Sequence, residues 1–454
     1  AAVAMVIGVV SGAVLAATQR STLVDAADST VAAARVISTG SGEGSGRSFR
    51  NNQEQFDSVA SAAGSWWAAP ARLVPGVAQN VRAVEVAASA GAELNGVAAG
   101  LATTVDYDAL SRPDGSIDLP LLASYEEPTA SASLAVRTAR AQLSDVRAPW
   151  LVPPIADQLD QFLAHIDEAA GATTIAAAAT RELPGILGAD GPRRYLLLLG
   201  SPSEARDLGG HIGNWAELTA VDGKLDVARV GEPYELFSPA SADRPELSSD
   251  LDLPASLVEM DPTRFPQNWG ASPDLATVGR LAADLYPRTP GGAPIDGVLY
   301  ADPTAFAALL EVTGPIEADG FMMTADNAVQ FLTVDQFQPS AGDGTQQPGG
   351  DERSVTPFVR SALERFTDSP HPSPSQLANA FGGAISAGHL QFATSTVPPR
   401  GLLRLTGLDQ PIAREQGGDF VAVVTRNANP SKIDSFLHRT IDYFVEWGAA
   451  SGAT

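Results

Sequence analysis

The chain has 454 residues, of which 44% are hydrophobic, and a formal net charge of -24 from 29 basic and 53 acidic side chains. That length fits about three domains of roughly 150 residues each. A polyanion of this kind is a poor partner for nucleic acid, because phosphate contacts need a basic face. The absence of cysteine excludes disulfides, zinc–thiolate sites, iron–sulfur clusters and thiol nucleophiles. Only Lys224 and Lys432 are lysine, and the matching bias to Arg and Ala points to a GC-rich genome.

Residues 1–18 (AAVAMVIGVVSGAVLAAT) carry no charge. A bilayer span takes about 20 apolar residues, with a range near 17–25, so an N-terminal transmembrane helix is expected here. A cleaved signal peptide is the rival reading, but its apolar core usually has only about 7–15 residues. The acidic bulk of the chain comes after this run and is expected outside the cytoplasm, giving a single-pass protein of the cell membrane. The sequence is expected to continue beyond both ends, since it opens inside an apolar run and closes after Tyr443-Phe444-Val445-Glu446-Trp447, which reads as the start of a strand.

Residues 19–190 read as helical. Ser21–Ser38 lacks Pro and Gly, a Gly/Ser-rich break comes next at Thr39–Gly46, and residues 50–66 and 77–103 are rich in Ala. Ile155, Leu159, Phe162, Leu163 and Ile166 recur at three- and four-residue spacing, which makes one stripe of an amphipathic helix. No chemistry is legible in this region. Its expected role is to hold the C-terminal half of the chain at a distance from the membrane.

Residues 191–454 read as α/β (α+β) with a mixed sheet. Arg194–Leu199 is a short apolar run between Gly191-Pro192 and Gly200-Ser201-Pro202, which fits a strand buried on both faces. The segment after it carries Glu204, Arg206, Asp207, Gly209, Gly210, His211 and Asn214, and open sheets bind ligands at strand ends of this kind. Asp222-Gly223 between two alternating runs predicts a hairpin. Further on, a helix is expected over Ala276–Leu285, a strand at Ile295–Ala301, and a helix capped by Asp302 and started by Pro303. Thr324 is expected to cap a helix over Ala325–Leu332, Gly342–Gly350 to form a loop, and Ser354–Phe366 to form a helix. Trp215 and Trp269 are expected in the core.

Several of these motifs together resemble a bacterial family known as domain of unknown function 4012. They are Tyr195–Leu199 with Glu204-x-Arg206-x-x-Gly209-Gly210, Asp296-Gly297-Val298 with Ala301-Asp302-Pro303, Thr313-Gly314-Pro315, Thr324–Asn327, and Asn429-Pro430-Ser431-Lys432-Ile433-Asp434. The upstream Trp66-Trp67 and Leu73–Gly76 are also similar to that family, so the resemblance covers most of the chain. It implies a membrane-anchored, extracytoplasmic protein. A fainter similarity runs to the LytR-CpsA-Psr family, which transfers glycans from polyprenyl pyrophosphate to cell-wall polymers with arginines, an aspartate and Mg²⁺. Leu196–Gly200, Arg206-Asp207, Thr313-Gly314-Pro315 and Arg353 with Arg360 fall in a similar order. Thr-Gly-Pro stands where that family has Gly-Gly-Val, and Thr333–Phe337 where it has an arginine pair.

On that resemblance, Arg206, Asp207 and Arg353 are the expected catalytic residues. Glu204, Gly209, Gly210, Asn214, Asp296 and Asp335 are expected against the substrate, and Asp207 and Asp351 on Mg²⁺. Guanidinium groups grip phosphate oxygens bidentately, and Mg²⁺ binds through one or two carboxylates plus phosphate. The residues leave two readings open. The head transfers a polyprenyl-linked glycan, with lipid, glycan and an envelope complex as partners and no nucleic acid. Alternatively it is a non-catalytic scaffold or polymer-binding protein in which Glu204 and Arg206 pair only to fix a loop. Two-carboxylate glycoside hydrolysis has no distinctive signal, and HExxH, Gly-x-Ser-x-Gly and P-loop motifs are absent.

Overall fold

The computed structural model describes residues 22, 25–26, 29–30, 45–66, 68–236, 251–337, 354–394, 400–410, 421–427, 429 and 431–444. The expected span at 1–18 and the loop at 342–350 lie outside them. Among the described residues no helix is long and apolar enough to cross a membrane.

The first half is a set of long helices. In chain order they are α1 (Ser45–Gly64), α2 (Val77–Thr104), the short α3 (Leu119–Ser124), α4 (Glu126–Asp145) and α5 (Pro153–Ile186). α1 runs alongside α2, with Phe49 packed at Ala99 and Phe56 near Ala92. Ala is the best helix former and adds almost no side-chain bulk, so the Ala-rich α2 lets its neighbours approach closely. A Cβ at Gly91 would stand 2.6 Å from the Phe56 ring. The predicted stripe on α5 is borne out: Leu159 and Ile166 are buried, and Ile155, Phe162 and Leu163 pack beside them. The Gly/Ser break is shorter than expected, because Ser45 and Gly46 already belong to α1 and are buried. Gly46 fits there because it faces the last turn of α2 at Ala102 and Thr103.

The head is built on a five-stranded sheet in the order β3-β2-β1-β4-β7. Its strands are β1 (Arg193–Ser201), β2 (His211–Val221), β3 (Lys224–Gly231), β4 (Gly297–Ala301) and β7 (Leu390–Thr394). β1 and β4 are parallel and the other pairs antiparallel, so the sheet is mixed, as expected. β1 is central. Tyr195 and Leu197 point to one face and Leu196 and Leu198 to the other, each into its own buried cluster. Burying one such Leu contributes ~1.5–3 kcal/mol, and that explains the unbroken apolar run.

On the first face lie α7 (Pro303–Thr313), the small hairpin β5 (Ile316–Ala318) and β6 (Phe321–Met323), α8 (Ala325–Thr333) and α9 (Thr356–Asp368); on the second lies α6 (Leu275–Leu285). The chain then runs through α10 (Pro374–Ser386) and, after β7, α11 (Arg400–Thr406). Trp215 and Trp269 are core residues, as expected. The β2–β3 turn has Asp222 at φ 50 and Gly223 at φ 87, the left-handed pair that a tight hairpin needs. Asp302 accepts from the Thr304 and Ala305 amides. Thr324 and Asn327 form a reciprocal cap on α8.

Candidate functional site

A cleft of about 500 Å³ opens at the C-terminal ends of β1 and β4, within the size range of small-molecule sites. One wall comes from Leu199–Ser201 of β1 and His211–Asn214 of β2, and the opposite wall from α7, α8 and α9 through Phe306, Leu332 and Val359. Gln336, Phe337 and Lys432 close one end, and Glu232, Pro233 and Tyr234 the other. The β1 register shifts between Leu199 and Gly200, and such a bulge re-aims the strand where pairing ends.

The segment predicted to carry chemistry lies behind this wall. Arg206 is 6% exposed. Its guanidinium donates to Glu204 Oε1 at 2.6 Å, Asn268 Oδ1 at 3.1 Å, the Ala205 carbonyl at 3.0 Å and the Asn427 carbonyl. Asp207 is gripped bidentately by Arg426, whose Nε stands 2.8 Å from Oδ1. Among the described residues no group of three His, Asp or Glu has the arrangement of a metal site. Gly209 lies against the Tyr300 hydroxyl, and a Cβ at Gly210 would stand 2.1 Å from the Ser201 carbonyl oxygen. Both glycines let the loop fold tightly on β1, and neither lines the cleft.

The remaining predicted residues scatter. Asn214 lines the cleft and donates to Thr356 Oγ1 at 2.9 Å. Asp335 is exposed beyond α8 and accepts from Gln330 at 3.0 Å. Asp296 sits at the other end of the sheet, where it accepts from the Arg194 amide at 2.9 Å and from Arg193 at 3.1 Å. At ~3.3 Å per residue, β1 separates Asp296 from the cleft by roughly 20 Å. Arg353 and Asp351 lie outside the described residues.

The cleft residue missed as a site residue is Lys432, which stood only within the Asn429–Asp434 motif. It reaches the cleft because the C-terminal segment is strapped to the loop after β1. Asp434 accepts from the Ala205 amide at 3.0 Å, and the Asn427 amide donates to the Ala205 carbonyl at 2.9 Å. Lys432 Nζ then lies 2.9 Å from Glu204 Oε2, 3.4 Å from His211 Nε2 and 5.0 Å from the Phe337 ring centre. Burial disfavours the charge on Glu204, yet Lys432, His211 and Arg206 beside it hold its pKa below the usual value. Burial, and then the Lys432 charge, push His211 down to about 4. The imidazole is therefore neutral near pH 7, and its Nε2 can accept from the ammonium. One carboxylate thus answers two cations, and the triad of Glu204, Arg206 and Lys432 carries one net positive charge, in a cleft whose lining also includes the Glu232 and Asp302 carboxylates. A lone lysine carries no spacing signal, so only that motif and its being one of two lysines marked it.

No curated protein and no solved structure matches the chain. Residues 190–337, which carry the head from its first strand to the cleft wall at Phe337, match the model of a family described as a protein of unknown function (DUF4012), and over that stretch the resemblance read from the sequence is shown.

Proposed function

We propose that this is a membrane-anchored protein of the cell envelope whose head binds an anionic glycolipid, a glycan on a polyprenyl pyrophosphate, in the cleft at the ends of β1 and β4. The observation that carries the reading is the partly exposed Lys432 ammonium at the end of the cleft. The ammonium has three donors; Glu204 and His211 take two, and the third has no acceptor among the described residues, which leaves it for a phosphate oxygen. Around it the cleft mixes apolar side chains (Phe306, Leu332, Phe337) with amide and hydroxyl groups (Asn214, Gln336, Ser354). That lining suits an amphiphile with a charged junction.

Binding is favoured over transfer by the state of the two candidate catalytic groups. A phosphate clamp needs free N–H donors, and a metal needs free carboxylate oxygens. Arg206 spends four of its five donors on Glu204, Asn268 and two carbonyls, and both oxygens of Asp207 bond with Arg426. Mg²⁺ is not required by this reading.

The test is equilibrium binding of a short-chain polyprenyl pyrophosphate to the full chain, read by the fluorescence of a labelled lipid. Saturable binding that weakens about tenfold in Lys432→Met is expected. Binding of equal strength in Lys432→Met, or none in the wild type, overturns the proposal. Cleavage of the pyrophosphate bond that leaves polyprenyl phosphate, abolished by Arg206→Lys in a folded protein, would return the enzyme reading.

A further inference from the structure

The helical region ends, far from the head, in an apolar tip. α1 joins α2 through residues 65–76, and α4 joins α5 through residues 146–152. Asn80, in the first turn of α2, ties the two loops together: its Nδ2 donates to the Trp150 carbonyl at 3.2 Å, and its Oδ1 accepts from the Val152 amide at 2.8 Å. At this shared end Trp66 is 88% exposed, Leu73 76%, Trp150 71% and Val152 47%. The head lies at the opposite end of α5, where Ile186 packs into the head core and its carbonyl accepts from Tyr195. The 34 residues of α5, at ~1.5 Å each, put the tip about 50 Å from that junction.

The tip differs in charge from the rest of the molecule. Residues 65–76 contain Arg72 and no acid, and residues 148–156 contain no charged side chain, on a chain of net charge -24. A surface of anionic lipid repels most of this protein but not this end. Exposed Trp among aliphatic side chains is the composition that settles at the headgroup level of a bilayer.

The direction of the chain agrees. Ala26 packs with Phe56 and Ala92, whereas Thr30 bonds with Asn52 and Asn95. From residue 26 to 30 the chain therefore moves along α1 from Phe56 toward Asn52, away from the tip. The uncharged residues 1–18 precede Ala26 in sequence.

We propose that the tip formed by Trp66, Leu73, Trp150 and Val152 seats in the interfacial layer of a lipid bilayer and fixes how the helices are oriented on the membrane. This rests on the membrane anchorage proposed above and adds the contact that sets the orientation. The occupant is lipid, not a second protein, because two short loops with four isolated apolar side chains offer much less than the roughly 800 Å² that each partner of a stable protein pair contributes.

The cysteine-free sequence allows a direct test. Leu73→Cys and Val152→Cys are each labelled with a nitroxide in the full chain, reconstituted in vesicles of phosphatidylcholine and phosphatidylglycerol. Val221→Cys, on the exposed hairpin of the head, serves as the aqueous reference. Accessibility of the two tip labels to a water-soluble nickel chelate at least fivefold below that of the reference, with raised accessibility to oxygen, is expected. Quenching of Trp fluorescence by brominated lipid gives a second readout that needs no label; the Trp66→Phe, Trp150→Phe double variant is expected to lose part of it. Tip labels as open to the chelate as the reference, on protein that floats with the vesicles, overturn the tip contact and leave anchorage standing. Protein that does not float with the vesicles overturns both. Protection that appears only at high protein density identifies a contact between copies and overturns the lipid assignment.

Discussion

Glu204 and Lys432, 228 positions apart, meet at 2.9 Å at one end of the cleft. Glu204 is also bonded to Arg206 through its other oxygen. The same carboxylate therefore holds a buried arginine in place and presents a lysine that is 29% exposed. The two cations have different jobs, and their substitutions separate.

Arg206→Ala removes a guanidinium with four partners and leaves Glu204 buried beside one cation. Breaking a buried pair in this way costs ~3–5 kcal/mol. Urea unfolding of the purified protein should show that loss, and Arg206→Lys should recover little of it, because an ammonium cannot reach Glu204, Asn268 and two carbonyls together.

Lys432→Met leaves the Glu204–Arg206 pair in place. Its stability cost is expected near ~1 kcal/mol, the net worth of one hydrogen bond, while ligand affinity falls. Affinity in the wild type should also decline with added salt, since a partly exposed charge is screened. An affinity independent of salt between about 50 and 500 mM would contradict the role given to this ammonium.

His211 links stability to pH. Its pKa in the folded protein is about 4, below the usual value near 6.5, so between those limits the unfolded chain binds the extra proton. Stability contributed by the neutral imidazole is present above about pH 6.5 and is lost as pH falls toward about 4. Burial lowers His371 as well, so it adds to the same slope. Denaturation midpoints measured from about pH 7 to 5 should fall less steeply in His211→Asn than in the wild type, and less steeply again when His371→Asn is added.

Asp302 caps α7 at the mouth of the cleft and bonds with His389. Asp302→Ala should cost ~1 kcal/mol for the lost cap, whereas Asp302→Asn should cost less, because an amide oxygen still accepts from the Thr304 and Ala305 amides. Thermal unfolding of the two variants distinguishes the cap from the contact with His389.

Gly210 has no room for a side chain, because a Cβ there would stand 2.1 Å from the Ser201 carbonyl oxygen. Gly210→Ala forces the loop off β1 and with it the start of β2. A loss of several kcal/mol, at the upper end of the ~0.5–3 kcal/mol usual for point substitutions, is expected by urea unfolding. Gly213→Ala, whose nearest neighbours stand 3.9 and 4.0 Å away, is the tolerated comparison.

Local order was legible in the sequence by itself. The central strand comes from an apolar run that must bury both faces, the hairpin from Asp222-Gly223, the starts of α7 and α8 from Asp302-Pro303 and Thr324, and the α5 stripe from three- and four-residue spacing. These signals are local because a cap, a turn or a stripe is completed within a few residues. The Glu204–Arg206 pair, one of the two readings the sequence left open, is formed, but the tertiary structure alone decided which distant charges meet. Asp207 read as a free carboxylate, yet the chain returns more than 200 residues later and brings Asn427 to Arg206 and Arg426 to Asp207. The same return carries Lys432 to the cleft, while Asp296, expected against the substrate, sits at the far end of the sheet. An ionisable side chain takes its role from its nearest charges and its exposure to water, and in this fold both are set by segments distant in sequence.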